Sequence, residues 1–184
     1  MDNYPYHYET MGIKERGNYC ENLFKSILDS KNIYCKKSTF YEDVYKHFDF
    51  TIKLKKHNRT IDIKSIKQIR KKFQDEYFYI ELTNDICLKG WIYAETMDLV
   101  GFECFNNFMI YKRKDILKFI NNKGINNFQI LRRNNKKKFG LYSETILIKK
   151  SELEDILYYR LDKPSDFQIY SLPLPVATSK GLGS

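Results

Sequence analysis

Paired cysteines, clustered histidines and long apolar runs are all missing from this sequence, and each absence closes off a class of protein. The four cysteines, at positions 20, 35, 87 and 104, are separated by 15, 52 and 17 residues, so there is no C-x-x-C and no zinc-ribbon spacing. His7, His47 and His57 lie far apart, and none stands at ligand spacing from a cysteine. Free thiols in a reducing compartment are expected, without structural zinc. No apolar segment follows Met1, and the longest apolar runs fall far short of the roughly 20 residues that span a bilayer. The chain reads as neither secreted nor membrane-inserted, which implies the cytoplasm or the nucleus. It contains no internal repeat.

What is abundant is positive charge. Thirty-two Lys and Arg against 23 Asp and Glu give a formal charge of +9, enough to favour a polyanionic partner through counterion release. Nucleic acid is the natural candidate. The competing explanation is a coding bias that enriches Lys, Asn, Ile and Tyr together, whatever the function. A length of 184 residues suits one domain with a core of its own.

Periodicity divides the chain into an N-terminal arm (1–11), a single domain (12–162) and a flexible tail (163–184). Cys20, Leu23, Phe24, Ile27 and Leu28 recur at helical spacing and predict an amphipathic helix from about Gly12 to Ser30. Glu21 shares a stripe with Phe24 and Leu28, which turns one carboxylate inward. A strand is expected within 32–38. Residues 48–54 alternate, with Phe48, Phe50, Ile52 and Leu54 against Asp49, Thr51 and Lys53; residues 59–69 begin the same way, with Ile61 and Ile63 against Asp62 and Lys64. A turn at 56–58 joins the two runs into a hairpin. Further strands are expected at 76–83, 90–93, 99–104 and 108–111, followed by a helix near 114–120 and an Asn/Gly-rich turn at 121–127. Strands at 128–131 and 145–148 flank a basic loop, Arg132, Arg133, Asn134, Asn135, Lys136, Lys137 and Lys138. A last helix is expected at 151–159, with Ser151 as N-cap and Glu154 at the capping-box position. From Pro164 the periodicity stops, and the closing Gly-Leu-Gly-Ser reads as a cloning remnant. The fold class is α/β: a central mixed sheet of four or more strands flanked by helices, with the site where the first hairpin opens toward the first helix.

One constellation carries chemistry. A spacing of two along a strand puts Asp62 and Lys64 on one face, and hairpin pairing can bring Asp49 beside them. Carboxylate oxygens suit a hard cation such as Mg²⁺ or Mn²⁺, which activates water and polarises a phosphate. Lys64 would orient or deprotonate that water and add positive charge at the phosphate. A second acidic-x-Lys triplet, Asp29-Ser30-Lys31, lies at a helix end with no strand carboxylate before it. The structural alternative is that both strands simply show water a polar face, with Glu21 in a salt bridge at the edge of the core. Glu81, in phase with Tyr77, Tyr79 and Thr83, either extends the site or faces solvent. Gln68, in phase with Lys64, is a further candidate. The basic loop reads as a clamp on a nucleic-acid backbone or as a solvated turn. Trp91 and the fifteen tyrosines could stack on bases, although packing explains most of them.

The order helix-Glu21, strand-Asp49, strand-Asp62-Ile63-Lys64 resembles the PD-(D/E)XK nuclease superfamily over residues 12–84. His47-Phe48 stands where the family name has a proline, one of its least constant positions. Glu81-Leu82-Thr83-Asn84, Gly90-Trp91 and Asp98-Leu99-Val100 are similar to a segment of small phage and viral members. The resemblance implies a restriction-endonuclease-like core and Mg²⁺- or Mn²⁺-dependent phosphodiester hydrolysis, with DNA favoured over RNA. It assigns catalysis to Asp49, Asp62, Lys64 and Glu21, and the cation to Asp49, Asp62 and the Ile63 carbonyl. Concerted cutting of two strands would call for a homodimer. Two rivals stand beside it: a nucleic-acid-binding protein of the same fold without turnover, and a viral or mobile-element factor that binds another protein.

Overall fold

A computed structural model describes residues 11–54, 56–69, 72–73, 75–84, 86–134 and 140–164, with residues 68, 69, 72 and 73 described by backbone alone. The elements in chain order are α1 (Ile13–Ser30), β1 (Cys35–Lys37), α2 (Phe40–Lys46), β2 (Phe50–Leu54), β3 (His57–Lys64), β4 (Gln68–Ile69), β5 (Lys72–Phe73), β6 (Tyr77–Thr83), a 3₁₀ turn (Trp91–Tyr93), β7 (Leu99–Glu103), β8 (Asn107–Lys112), α3 (Arg113–Lys123), β9 (Gln129–Asn134), β10 (Tyr142–Lys149), a 3₁₀ helix (Lys150–Ile156) and β11 (Leu157–Asp162).

The architecture is α/β, as expected. A six-stranded mixed sheet runs β1-β2-β3-β7-β8-β11, with β3 and β7 parallel and the other neighbours antiparallel. Helix α1 covers one face, where Cys20, Leu23, Phe24, Ile27 and Leu28 pack on Phe50, Ile52, Ile61, Ile63, Leu99, Phe108 and Ile110. Each large apolar side chain fully buried there contributes about 1.5–3 kcal/mol. The opposite face, carrying Val100, Phe102, Met109 and Tyr111, meets α3 through Ile116 and Ile120. It also meets a second, three-stranded sheet, β6-β10-β9, through Phe78, Ile80, Ile146 and Ile148. Among the described residues, no helix is long and apolar enough to cross a membrane.

Several expectations need correction. Residues 77–83 form a strand, as expected, and it belongs to the second sheet. The β2–β3 hairpin forms as expected, Phe50 opposite Ile61 and Leu54 opposite His57, with His57 and Asn58 in β3 rather than in the turn. It lies inside the sheet, with β1 outside it and β7 on its other flank. The run from Arg59 breaks after Lys64, and residues 68–69 pair only with 72–73.

Residues 91–93 form a 3₁₀ turn rather than a strand. The Gly90 N–H donates to the Leu82 carbonyl (2.8 Å), so close to β6 that a Cβ on Gly90 would meet the Glu81 oxygen at 2.3 Å. The buried Arg113 guanidinium then donates to the Ile92 and Met97 carbonyls at 3.0 and 2.9 Å, fixing the turn.

The helix expected at 151–159 is a 3₁₀ helix ending at Ile156, capped at Lys149 with Glu152 in the capping box. Residues 157–162 instead extend as β11, because the outer edge of β8 offers an antiparallel partner. Helix α2 was not expected, although Thr39 and Glu42 form a capping box readable in the sequence. Lys163 is not tail: its ammonium lies 2.8 Å from the buried Glu103 carboxylate. The arm up to residue 10 and the tail from 165 lie outside the described residues.

Candidate active site and its cleft

The polar faces of β2 and β3 are solvated at the turn end, where Lys53 and Asn58 are exposed, but not at the other: Asp49 and Asp62 are 7% and 6% exposed. Asp49 stands just ahead of β2 and is pinned on both sides: its N–H donates to the Ile61 carbonyl (2.9 Å) and its carbonyl accepts from the Ser38 N–H (2.8 Å). Its Oδ2 accepts from the Ile63 N–H at 2.6 Å, so the side chain reaches the backbone between Asp62 and Lys64. The Lys64 ammonium lies 2.6 Å from Asp62 Oδ2 and 5.1 Å from the centre of the Trp91 ring.

The electrostatics follow from this placement. Burial, reinforced by the charge of Asp62, pushes the Asp49 carboxyl up to about 8; the Ile63 N–H and Lys64 pull it back, and Glu21 adds to the rise. Burial works against the Lys64 ammonium, but Asp62 outweighs it, with help from Asp49 and Glu81, and its pKa rises. Lys64 is therefore a cation at neutral pH, suited to neutralising charge or donating a proton rather than to removing one. That narrows the sequence-based role. Glu21 is half-buried and ion-paired with Lys37 of β1 at 3.1 Å, the salt-bridge alternative, while its charge still reaches Asp49.

Lys64 also lines a cleft of about 660 Å³, whose walls are the start of α1 (Ile13, Arg16), the segment Ser65–Lys67 and the outer face of the second sheet. Strand alternation explains that face. Phe78, Ile80, Ile146 and Ile148 turn into the core, which leaves Tyr79, Glu81, Ser143 and Thr145 for the cleft. Pairing of β10 with β9 sets Arg133 opposite Ser143 and Leu131 opposite Thr145 on the same face. Glu81 is thus on the cleft, within electrostatic reach of Lys64.

The basic segment is divided. Arg133 enters the cleft, whereas Arg132 sits on the other face of β9, paired with Glu144 at 2.7 Å. Both belong to β9 rather than to a loop. Lys136, Lys137 and Lys138 lie outside the described residues, as does the side chain of Gln68. Trp91 is packed beneath Lys64 and 7% exposed, which makes it a support and not a stacking platform. Arg16, Lys67, Tyr79, Ser143 and Thr145 were not singled out from the sequence, because they gather only when β9 and β10 fold back toward α1.

Among the described residues, no three His, Cys, Asp or Glu side chains form a group able to hold a metal. The chain matches no protein-family model, no curated protein and no solved structure.

Proposed function

We propose that the protein is a Mg²⁺- or Mn²⁺-dependent nuclease with a PD-(D/E)XK-type site, acting most readily on DNA. The observation that carries this reading is the burial of Asp49, just ahead of β2, and of Asp62 in β3, with the Asp49 carboxylate hydrogen-bonded to the Ile63 N–H and the Lys64 ammonium beside Asp62. A buried carboxylate whose proton affinity is raised by burial and by a second carboxylate beside it is what a divalent cation would relieve, and an all-oxygen donor set suits a hard one. Asp49, Asp62 and the Ile63 carbonyl would hold it, with waters completing the coordination. When bound, the cation supplies Lewis-acid polarisation of the phosphate and a more acidic water.

The protein's own groups do the rest. The Ile63 N–H fixes the Asp49 carboxylate, Trp91 and Asp62 orient Lys64, and the Lys64 ammonium stabilises the charge that develops on the phosphate oxygens. Glu21 tunes Asp49 from the α1 side.

The cationic side chains that line the cleft beside Lys64 also support a second reading, a protein that binds nucleic acid there without cutting it. A cleavage panel separates the two: supercoiled, linear, single-stranded and branched DNA and RNA, with Mg²⁺ or Mn²⁺, cut by wild type, Asp62→Ala and Lys64→Ala. The nuclease reading expects each variant to lose about a hundredfold or more in rate. Wild type that cuts nothing, or variants that cut as fast, would sink it.

A further inference from the structure

The cleft beside Lys64 has a composition that the catalytic residues do not explain. Four of its side chains are cationic, Arg16, Lys64, Lys67 and Arg133, against the single carboxylate of Glu81. They come from three separate parts of the fold, α1, the chain at and after the end of β3, and β9, and all line the same space. The Lys67 ammonium is held below its ordinary value first by desolvation and then by the charges of Lys64 and Arg16, which stand close to it. The Tyr79 hydroxyl, also on the wall, is buried with no hydrogen-bond partner among the described residues. A donor left unsatisfied in a cationic cleft is unfavourable until an anion with acceptor oxygens arrives.

Shape narrows the ligand further. About 660 Å³, enclosed by α1, the chain after β3 and the second sheet, is the volume of a site for a ligand of small-molecule size. A base-paired duplex cannot be threaded through such a space. One strand can, with phosphates against the cations and sugars against Ile13 and Leu131.

We propose that this cleft receives a single strand of DNA, with a phosphate seated between Lys67 and Arg133 and hydrogen-bonded by Tyr79, so that the adjoining phosphodiester reaches Lys64 and Asp62. The substrate class is then a single-stranded end, flap or gap, and a duplex must fray before it is cut. The proposal rests on the nuclease reading for its chemistry, but strand binding can be measured apart from cutting.

The test is fluorescence anisotropy on the full chain with Ca²⁺ present. The probes are an oligothymidylate of about twelve nucleotides and a blunt duplex of matching length. Wild type is compared with Lys67→Gln, Arg133→Gln, the double variant and Arg132→Gln, a control on the opposite face of β9. Thermal melts of each variant report that the fold is retained. Oligothymidylate should bind at least about tenfold more tightly than duplex. Lys67→Gln and Arg133→Gln should each weaken it about fivefold or more, and the double variant should flatten the log-log salt dependence by about 1.4. Arg132→Gln should bind as wild type does. Duplex bound as tightly as the single strand, or cleft variants indistinguishable from Arg132→Gln, would overturn the proposal. Strand binding through Arg133 without cleavage sustains the cleft and refutes the nuclease; cleavage with a preference for intact duplex does the reverse.

Discussion

Burial beside Asp62 makes Asp49 hold its proton into the neutral range. Its carboxyl is buried beside Asp62 and its pKa rises to about 8, against an ordinary value of 3.8. Because the folded value is the higher, the contribution of Asp49 to stability is fully present below about pH 4 and is lost as pH climbs toward about 8. Asp49→Asn keeps an acceptor for the Ile63 N–H and removes the charge. In EDTA, thermal or urea unfolding should show the variant more stable than wild type by on the order of 2–4 kcal/mol near pH 8, with the gap closing toward pH 4. A gap that stays constant with pH would mean that Asp49 is not the group responsible. The phase of Asp49, Asp62 and Lys64 was readable in the sequence from alternation alone. Their burial was not, since alternation reveals which residues share a face but not what covers it.

At the scale of elements, Arg113 controls how Trp91 lies under Lys64. The guanidinium donates to the Ile92 and Met97 carbonyls from a fully packed position at the start of α3, and Trp91 is the residue before Ile92. Arg113→Met removes two charge-assisted hydrogen bonds and strands both carbonyls, which should cost about 3 kcal/mol in urea unfolding. Trp91 is the single tryptophan, so its emission should shift to the red if the turn loosens. An unchanged spectrum together with unchanged stability would contradict this role. Gly90→Ala should be comparably harmful, at roughly 1–3 kcal/mol, because its Cβ would overlap the Glu81 carbonyl.

The same region shows where element reading fails. Gly90-Trp91-Ile92-Tyr93 is aromatic and branched enough to look like a strand, yet a close backbone approach and a distant arginine make it a turn. Leu157–Asp162 carries mixed signals, and the open edge of β8 decides for strand. By contrast, α1, the β2–β3 hairpin and the β8–α3 passage have strong local periodicity, and each matches its expected place closely.

On the scale of the whole molecule, the three layers divide the work. Helix α1 and the central sheet hold the carboxylates, and the second sheet walls the space in front of Lys64 with hydroxyls and Arg133. The positive charge evident in the composition is therefore partly local: Arg16, Lys64, Lys67 and Arg133 meet at one cleft, while Arg132 is turned away into an ion pair. Composition could indicate a polyanionic partner but not where it would lie, because these residues are spread over more than a hundred positions of the chain.

The central claim is that Asp49 and Asp62 together form a divalent-cation site. Isothermal titration calorimetry of the full chain with Mn²⁺ tests it directly. Wild type should show one site per chain, and Asp62→Asn should abolish it while still melting cooperatively. Absence of Mn²⁺ binding in the wild type, or binding undiminished in Asp62→Asn, would contradict the account.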